Sequence, residues 1–98
     1  MNTAGMIPAS EFCIHHRIEL TFIHSLKDHG LIEVLNIDEK IYLPETQLEQ
    51  IEMFVRLHYE LDINLEGIET VMHLLDRVKL MQEQITQLKN TLKEYEAR

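Results

Sequence analysis

The residues of this 98-residue chain best suited to chemistry are six histidines and one cysteine. Cys13, His15 and His16 are close in sequence, but successive helix residues point about 100° apart and cannot form one metal site as a group. Several histidines have a carboxylate four residues away, and each such pair supplies only two ligands. These pairs include Glu11 with His15, His58 with Asp62, and Glu69 with His73. We therefore interpret the histidines as structural or solvated residues and expect neither a metal nor another cofactor.

The sequence shows no catalytic pattern either. A nucleophilic cysteine needs a base and a group that orients that base. Cys13 has apolar neighbours on a predicted helix, which favours a position in the core. The three glycines are isolated at Gly5, Gly30 and Gly67, so there is no phosphate-binding glycine loop. We predict that the protein is not an enzyme.

Acidic residues are in excess and unevenly distributed. The chain has 17 acidic and 9 basic residues, which gives a net charge of −8. Residues 31–62 contain eight acids, and their only bases are Lys40 and Arg56. Specific DNA binding draws on several Lys or Arg contacts with phosphate. This segment argues against a nucleic-acid partner and suits a basic protein surface.

Four charged residues within this segment are spaced four, three and four residues apart, and so share one face of a predicted helix. They are Glu45, Glu49, Glu52 and Arg56. A run of charges is usually a solvated surface, and the alternative is a docking face for a basic partner. Three acids further along the chain would extend such a face. The candidate partner-binding residues are Glu45, Glu49, Glu52, Arg56, Asp62, Glu66 and Glu69.

The first half of the chain predicts a winged helix-turn-helix. A first helix should begin near Ser10, which can accept a hydrogen bond from an early helical N–H. A second helix over residues 20–29, with Leu20, Ile23 and Leu26 near one face, should end at Gly30 in a left-handed conformation. Residues 31–43 are rich in β-formers around a polar turn, which predicts a β-hairpin wing.

A third helix is predicted from about Glu45 to Leu61, after Pro44, and a fourth from an N-cap at Asn64. The third helix should bury Leu48, Ile51, Val55 and Tyr59. Phe54 and Leu65 are candidates for exposed apolar residues that contact a partner.

The last third of the chain carries an unbroken heptad pattern, with apolar residues at every seam position. Such a pattern specifies a coiled-coil helix, because the stripe is buried only when a partner helix covers it. The helix of about 28 residues would be about 40 Å long at 1.5 Å per residue. Its first half, through about Val78, can alternatively pack on the globular part. The predicted dimerisation residues are Val71, Leu74, Val78, Met81, Ile85, Leu88, Leu92 and Tyr95.

This order of elements looks like the MerR architecture, and three segments resemble the chaperone-modulator CbpM family. They are residues 11–15 (EFCIH), 30–33 (GLIE) and 56–68 (RLHYELDINLEGI). The resemblance extends over roughly residues 7–96. It implies a bacterial, cytoplasmic protein that binds the J-domain of a CbpA- or DnaJ-like co-chaperone and blocks its stimulation of the Hsp70 chaperone DnaK. The MerR likeness implies an antiparallel dimer, which the sequence alone does not settle.

DNA-binding MerR proteins resemble one another in a basic second helix and a basic wing. In this chain Lys27 is offset by Asp28, and the wing contains Glu33, Asp38 and Glu39. These charges argue against contact with phosphate. We therefore take a MerR-like DNA-binding transcriptional regulator as the alternative function and not as the first.

The predicted fold is mainly α, a MerR-like winged helix-turn-helix with a small β-hairpin and a long C-terminal coiled-coil helix. We expect a flexible N-terminus at residues 1–6, a winged helix-turn-helix-like domain at 7–62, and a helix at 63–98 that continues into a dimerising coiled coil. There is no signal-peptide pattern, and no apolar run approaches the ~20 residues that span a bilayer. We expect a cytoplasmic protein without a membrane partner.

Overall fold

The computed structural model describes residues 4–97. The chain forms two compact units, residues 1–68 and residues 69–98. A 3₁₀ turn at Glu45–Gln47 precedes the third α-helix and a π-helical turn at Arg56–Glu60 follows it. The strands and α-helices are β1 (Met6–Pro8), α1 (Ala9–His16), α2 (Leu20–Asp28), β2 (Leu35–Ile37), β3 (Lys40–Pro44), α3 (Leu48–Val55) and α4 (Leu65–Glu96). This is the predicted mainly helical winged helix-turn-helix followed by a long helix.

Helices α1 and α2 both end in a Schellman motif. Arg17 is left-handed (φ 56°), and the Ile18 N–H donates to the Cys13 carbonyl at 3.0 Å. Gly30 is also left-handed (φ 72°), and the Leu31 N–H donates to the Leu26 carbonyl at 2.9 Å. The predicted role of Gly30 is confirmed. Helix α1 begins at Ala9, next to the predicted start near Ser10, but the predicted cap is wrong, because the N-cap position is held by an extended Pro8 and no side chain caps the helix.

The wing is part of a three-stranded antiparallel sheet with strand order β1-β3-β2. Asp38 and Glu39 join β2 to β3, and both have positive φ (51° and 66°), as a type I′ turn requires. The hairpin confirms the predicted wing. Strand β1 was not predicted; it pairs with β3, and Ile7 lies opposite Leu43. The flexible N-terminus predicted for residues 1–6 falls partly on residues 1–3, which lie outside the described residues.

The core of the first unit is apolar and draws on α1, α2, β3, α3 and the start of α4. Its fully buried large side chains are Ile23, Leu26, Leu43, Ile51, Phe54 and Ile68. Leu20 is 39% exposed, contrary to its predicted position near the core stripe. At about 100° per residue, Leu20 lies more than 90° from the centre of the stripe formed by Phe22, Ile23 and Leu26.

The helix predicted from Glu45 to Leu61 is α-helical over Leu48–Val55 and ends in the π-helical turn. The Leu61 N–H donates to the Arg56 carbonyl at 3.2 Å, five residues earlier. A π turn inserts residues relative to an α-helix and so rotates the following side chains. Tyr59, which we expected to be buried, is 42% exposed. The His58 ring stacks on Phe22 with a centroid distance of 4.7 Å and fixes the turn against α2.

Asn64 caps α4, as predicted. Its side-chain oxygen accepts a hydrogen bond of 2.8 Å from the Gly67 N–H, and its carbonyl accepts one of 2.9 Å from the Ile68 N–H. Gly67 is needed here because a Cβ atom at this position would lie 2.6 Å from the Ile63 Cγ2 atom.

The second unit contains the remainder of α4, which is 32 residues long in all. The apolar seam is exposed in this chain: seven of its eight residues have between 49% and 70% of their surface accessible. These seven are Leu74, Val78, Met81, Ile85, Leu88, Leu92 and Tyr95. Within residues 4–97, no helix combines the length and apolar character needed to cross a membrane.

Candidate functional site

The four charged residues at helical spacing lie on the surface of the first unit, and we name them the acidic face. Glu45 belongs to the 3₁₀ turn, Glu49 and Glu52 to α3, and Arg56 begins the π-helical turn. The side chain of Glu52 is 44% exposed, and its Oε1 atom lies 3.9 Å from Nε2 of His16 on α1. The other three residues are exposed. The helical spacing of residues 49, 52 and 56 places their side chains on one side of this segment.

Packing beneath the acidic face holds it in place. Ile51 and Phe54, on the opposite side of α3, are fully buried. The turn that leads into α3 is tied down by Gln47, whose side-chain amide accepts from the Glu33 N–H and donates to the Glu33 carbonyl, both at 2.9 Å. The carboxylates therefore project from a segment whose backbone is anchored at its start and along its buried side.

The remaining predicted acids are divided between the two units. Asp62 is exposed and left-handed (φ 55°) after the π-helical turn, and Glu66 is exposed in the first turn of α4. Glu69 is half-buried and belongs to the second unit. The structure thus brings six of the seven candidate residues into the first unit and places the seventh in the second.

Of the two apolar residues predicted to contact a partner, the prediction for Phe54 is wrong. Phe54 is completely buried and cannot reach a partner, because it packs in the core beside Ile51. Leu65 is half-buried. Sequence reasoning missed Leu61, which is 63% exposed next to Asp62 because the π-helical turn ends there. The exposed apolar residues of the first unit include Ile14, Leu20, Leu35, Tyr59 and Leu61.

The cysteine and histidine side chains that could take part in chemistry have structural roles instead. Cys13 is buried, and this burial raises the pKa of its thiol, so the reactive thiolate is disfavoured. Nδ1 of His58 lies 2.9 Å from the Ile63 carbonyl, within hydrogen-bond distance across the π-helical turn. No group of three or more His, Cys, Asp or Glu side chains is placed to hold a metal ion within residues 4–97.

The family model for the MerR HTH family regulatory protein matches residues 7–90 of the chain. The chain belongs to the MerR family. This match includes the helix-turn-helix, the wing and most of α4. MerR regulatory domains are not an enzyme family. No curated protein and no solved structure matches the chain.

This MerR-family chain lacks a basic surface where a helix-turn-helix protein reads DNA. In such proteins the second helix enters the major groove. Here the exposed charges of α2 are Lys27 and Asp28, and those of the wing turn are Asp38, Glu39 and Lys40. Acids therefore outnumber bases on the two elements that would approach phosphate.

Proposed function

We propose that this MerR-family chain is a chaperone modulator of the CbpM type. In this proposal it binds the J-domain of a CbpA- or DnaJ-like co-chaperone in the bacterial cytoplasm and inhibits its stimulation of DnaK. The resemblance of residues 11–15, 30–33 and 56–68 to that family names the partner. The observation that carries the proposal is the charge distribution. Residues 1–68 hold twelve of the seventeen acids and four of the nine bases, so the first unit carries the whole net charge of −8.

The acidic face supplies a mechanism for the inhibition. J-domains present a basic helix to DnaK, and carboxylates that cover this helix would exclude DnaK from it. Attraction between the two surfaces mainly raises the association rate, and it is screened within about 8 Å at physiological ionic strength. Apolar contacts must then supply much of the lasting affinity, and Leu61 beside Asp62 is an exposed residue suited to this role.

The decisive experiment is a calorimetric titration of the protein with the purified J-domain at low and physiological salt. We expect the triple variant Glu45→Lys, Glu49→Lys, Glu52→Lys to bind at least about tenfold more weakly and with a smaller salt dependence. A matched control carries Glu19→Lys, Asp28→Lys and Glu33→Lys, three exposed acids of the same unit outside the acidic face. This control has the same net charge and should retain most of the affinity.

Two results of this titration would count against the proposal in different ways. If the unmodified protein does not bind the J-domain at tens of micromolar, the assigned function is wrong. If it binds and the two triple variants lose affinity equally, the function stands and the acidic face is not its binding surface.

A DNA-binding regulator is the second candidate, because the matching family is described as regulatory. The charges of α2 and the wing argue against it. We expect duplex DNA to bind no tighter than the non-specific range of roughly 10⁻⁴ to 10⁻⁶ M at physiological salt. A gel shift with nanomolar, sequence-specific affinity would favour the regulator instead.

We also propose that the chain forms a homodimer through α4. The support is the heptad spacing of the eight seam residues and the exposure of seven of them. The second unit has five acids and five bases, so electrostatic repulsion between copies of this helix is weak.

A further inference from the structure

A groove with a volume of about 600 Å³ lies between the start of α1, the start of α2 and the β2–β3 hairpin. We call it the wing groove. Its apolar lining includes Pro8, Leu20, Ile41 and Tyr42. Leu20 is 39% exposed, and Pro8, Ile41 and Tyr42 are half-buried. The groove therefore presents apolar surface to solvent at the place where a DNA-binding protein needs basic and polar side chains.

The sheet explains why this surface is apolar. Side chains alternate along β3, so Tyr42 points away from the face on which its neighbour Leu43 is fully buried. Tyr42 pairs with Pro8 on one side and with Leu35 on the other, and Leu35 is 43% exposed. A row of apolar residues thus crosses the outer face of all three strands and ends at the groove.

The charges of the wing groove favour a cationic occupant. Glu11 and Glu39 line it, opposed by Lys40 and by His24. The unit that contains it carries a charge of −8, which repels both phosphate and a second copy of the same unit. A volume of about 600 Å³ falls within the roughly 300–1,000 Å³ typical of ligand pockets. It is suited to a few side chains of a partner rather than to a whole helix.

The wing groove shares a lining residue with a second depression that reaches the acidic face. Glu11 lines both the groove and a second depression of about 350 Å³, which is bordered by His16 and Glu52. His16 and Glu52 are themselves in contact at 3.9 Å. A partner that covers Glu52 therefore has a path along the surface of α1 into the groove.

We propose that the wing groove is the apolar anchor site for the basic partner that the acidic face attracts. Its occupant is a segment of the J-domain in which an aliphatic side chain packs against Leu20 and Tyr42, and a Lys or Arg lies beside Glu11. This inference rests on the proposed function, and it makes the groove a second source of apolar contacts in addition to Leu61.

The test is a calorimetric titration of the full-length protein with the purified J-domain. We expect Leu20→Ser to weaken binding roughly tenfold, since a half-exposed leucine would lose its burial against the partner. Ile14→Ser is the matched control, because Ile14 is 78% exposed on α1 and does not line the groove. It should change the dissociation constant less than twofold. Thermal unfolding of both variants by circular dichroism establishes that they are folded.

The outcomes separate the two proposals. If the unmodified protein binds and both serine variants bind equally well, the groove is not the anchor and the proposed function stands. If the unmodified protein does not bind the J-domain, the proposed function fails and the groove loses its assigned occupant with it. A loss confined to Leu20→Ser supports both.

Discussion

The two units of this chain differ in charge and in burial. The first carries a net charge of −8 and encloses a core of fully buried residues such as Ile23, Leu43 and Phe54. The second is electrically balanced, and its apolar seam is between 49% and 70% exposed from Leu74 to Tyr95. An acidic surface repels another copy of itself, whereas a neutral helix with an apolar stripe does not. This contrast supports our proposals that the first unit binds the partner and that the second unit self-associates.

If this division is correct, each activity can be removed without the other. The largest expected effect comes from Ile85→Asp, in the middle of the seam. Ile85 is 52% exposed in the single chain, so the substitution does not disturb a core within it. In a dimer it would place a carboxylate in a desolvated position, where an unpaired charge is strongly unfavourable. We expect dimerisation to weaken at least about a hundredfold, which corresponds to roughly 3 kcal/mol.

Multi-angle light scattering at several concentrations measures this change, and Asn90→Asp is the matched control. Asn90 is exposed and lies outside the seam, so its conversion adds the same charge without entering the interface. Affinity for the J-domain, counted per protomer, should be unchanged in Ile85→Asp. A monomeric unmodified protein at tens of micromolar would contradict the dimer, and lost J-domain binding would contradict the separation of the two activities.

The features that could be predicted from sequence are those set by local chemistry. Gly30 ends α2 because a left-handed residue is needed there, and Asn64 caps α4 through its side-chain oxygen. The wing followed from β-formers on either side of a polar turn, and the long helix α4 from its heptad spacing. Each of these signals lies within a few residues or repeats regularly along one helix, so no knowledge of distant contacts was needed.

The features that were missed depend on distant contacts or on departures from ideal geometry. Strand β1 is three residues long and exists through its pairing with β3, which lies far along the chain. Tyr59 is exposed because the predicted helix ends in a π-helical turn, and stacking between His58 and Phe22 fixes that turn. Neither the pairing of β1 nor the π-helical turn can be predicted from the spacing of apolar residues alone.

The candidate site was only partly accessible to sequence reasoning. The spacing of the acidic face was sufficient to place Glu49, Glu52 and Arg56 on one side of a helix. The burial of Phe54 and the exposure of Leu20 depend on which side of each helix meets the core. The wing groove combines residues from two helices and a hairpin, so it became visible only once the sheet register was known.

The smallest expected effect sharpens the same comparison, because it should stabilise one unit and leave the other unchanged. Arg17 and Gly30 hold equivalent left-handed positions at the ends of α1 and α2. A residue with a Cβ atom costs roughly 1–2 kcal/mol in this conformation, whereas glycine costs more entropy on folding, roughly 0.5–1 kcal/mol. We therefore expect Arg17→Gly to stabilise the first unit by up to about 1 kcal/mol. Gly30→Ala, whose added Cβ meets no atom within 4 Å, should destabilise it by about 1 kcal/mol through backbone strain alone.

Native-state hydrogen exchange measures both units in one experiment. Leu26 lies in α2 and its side chain is buried in the core, so its backbone amide reports on opening of the first unit. The backbone amide of Leu88 reports on α4 in the second unit. Protection of Leu26 should rise in Arg17→Gly and fall in Gly30→Ala, while protection of Leu88 stays constant. Equal changes in protection at both amides would mean that the two units unfold together. A loss of protection in Arg17→Gly would mean that the Arg17 side chain stabilises the turn by more than the free energy cost of its left-handed backbone.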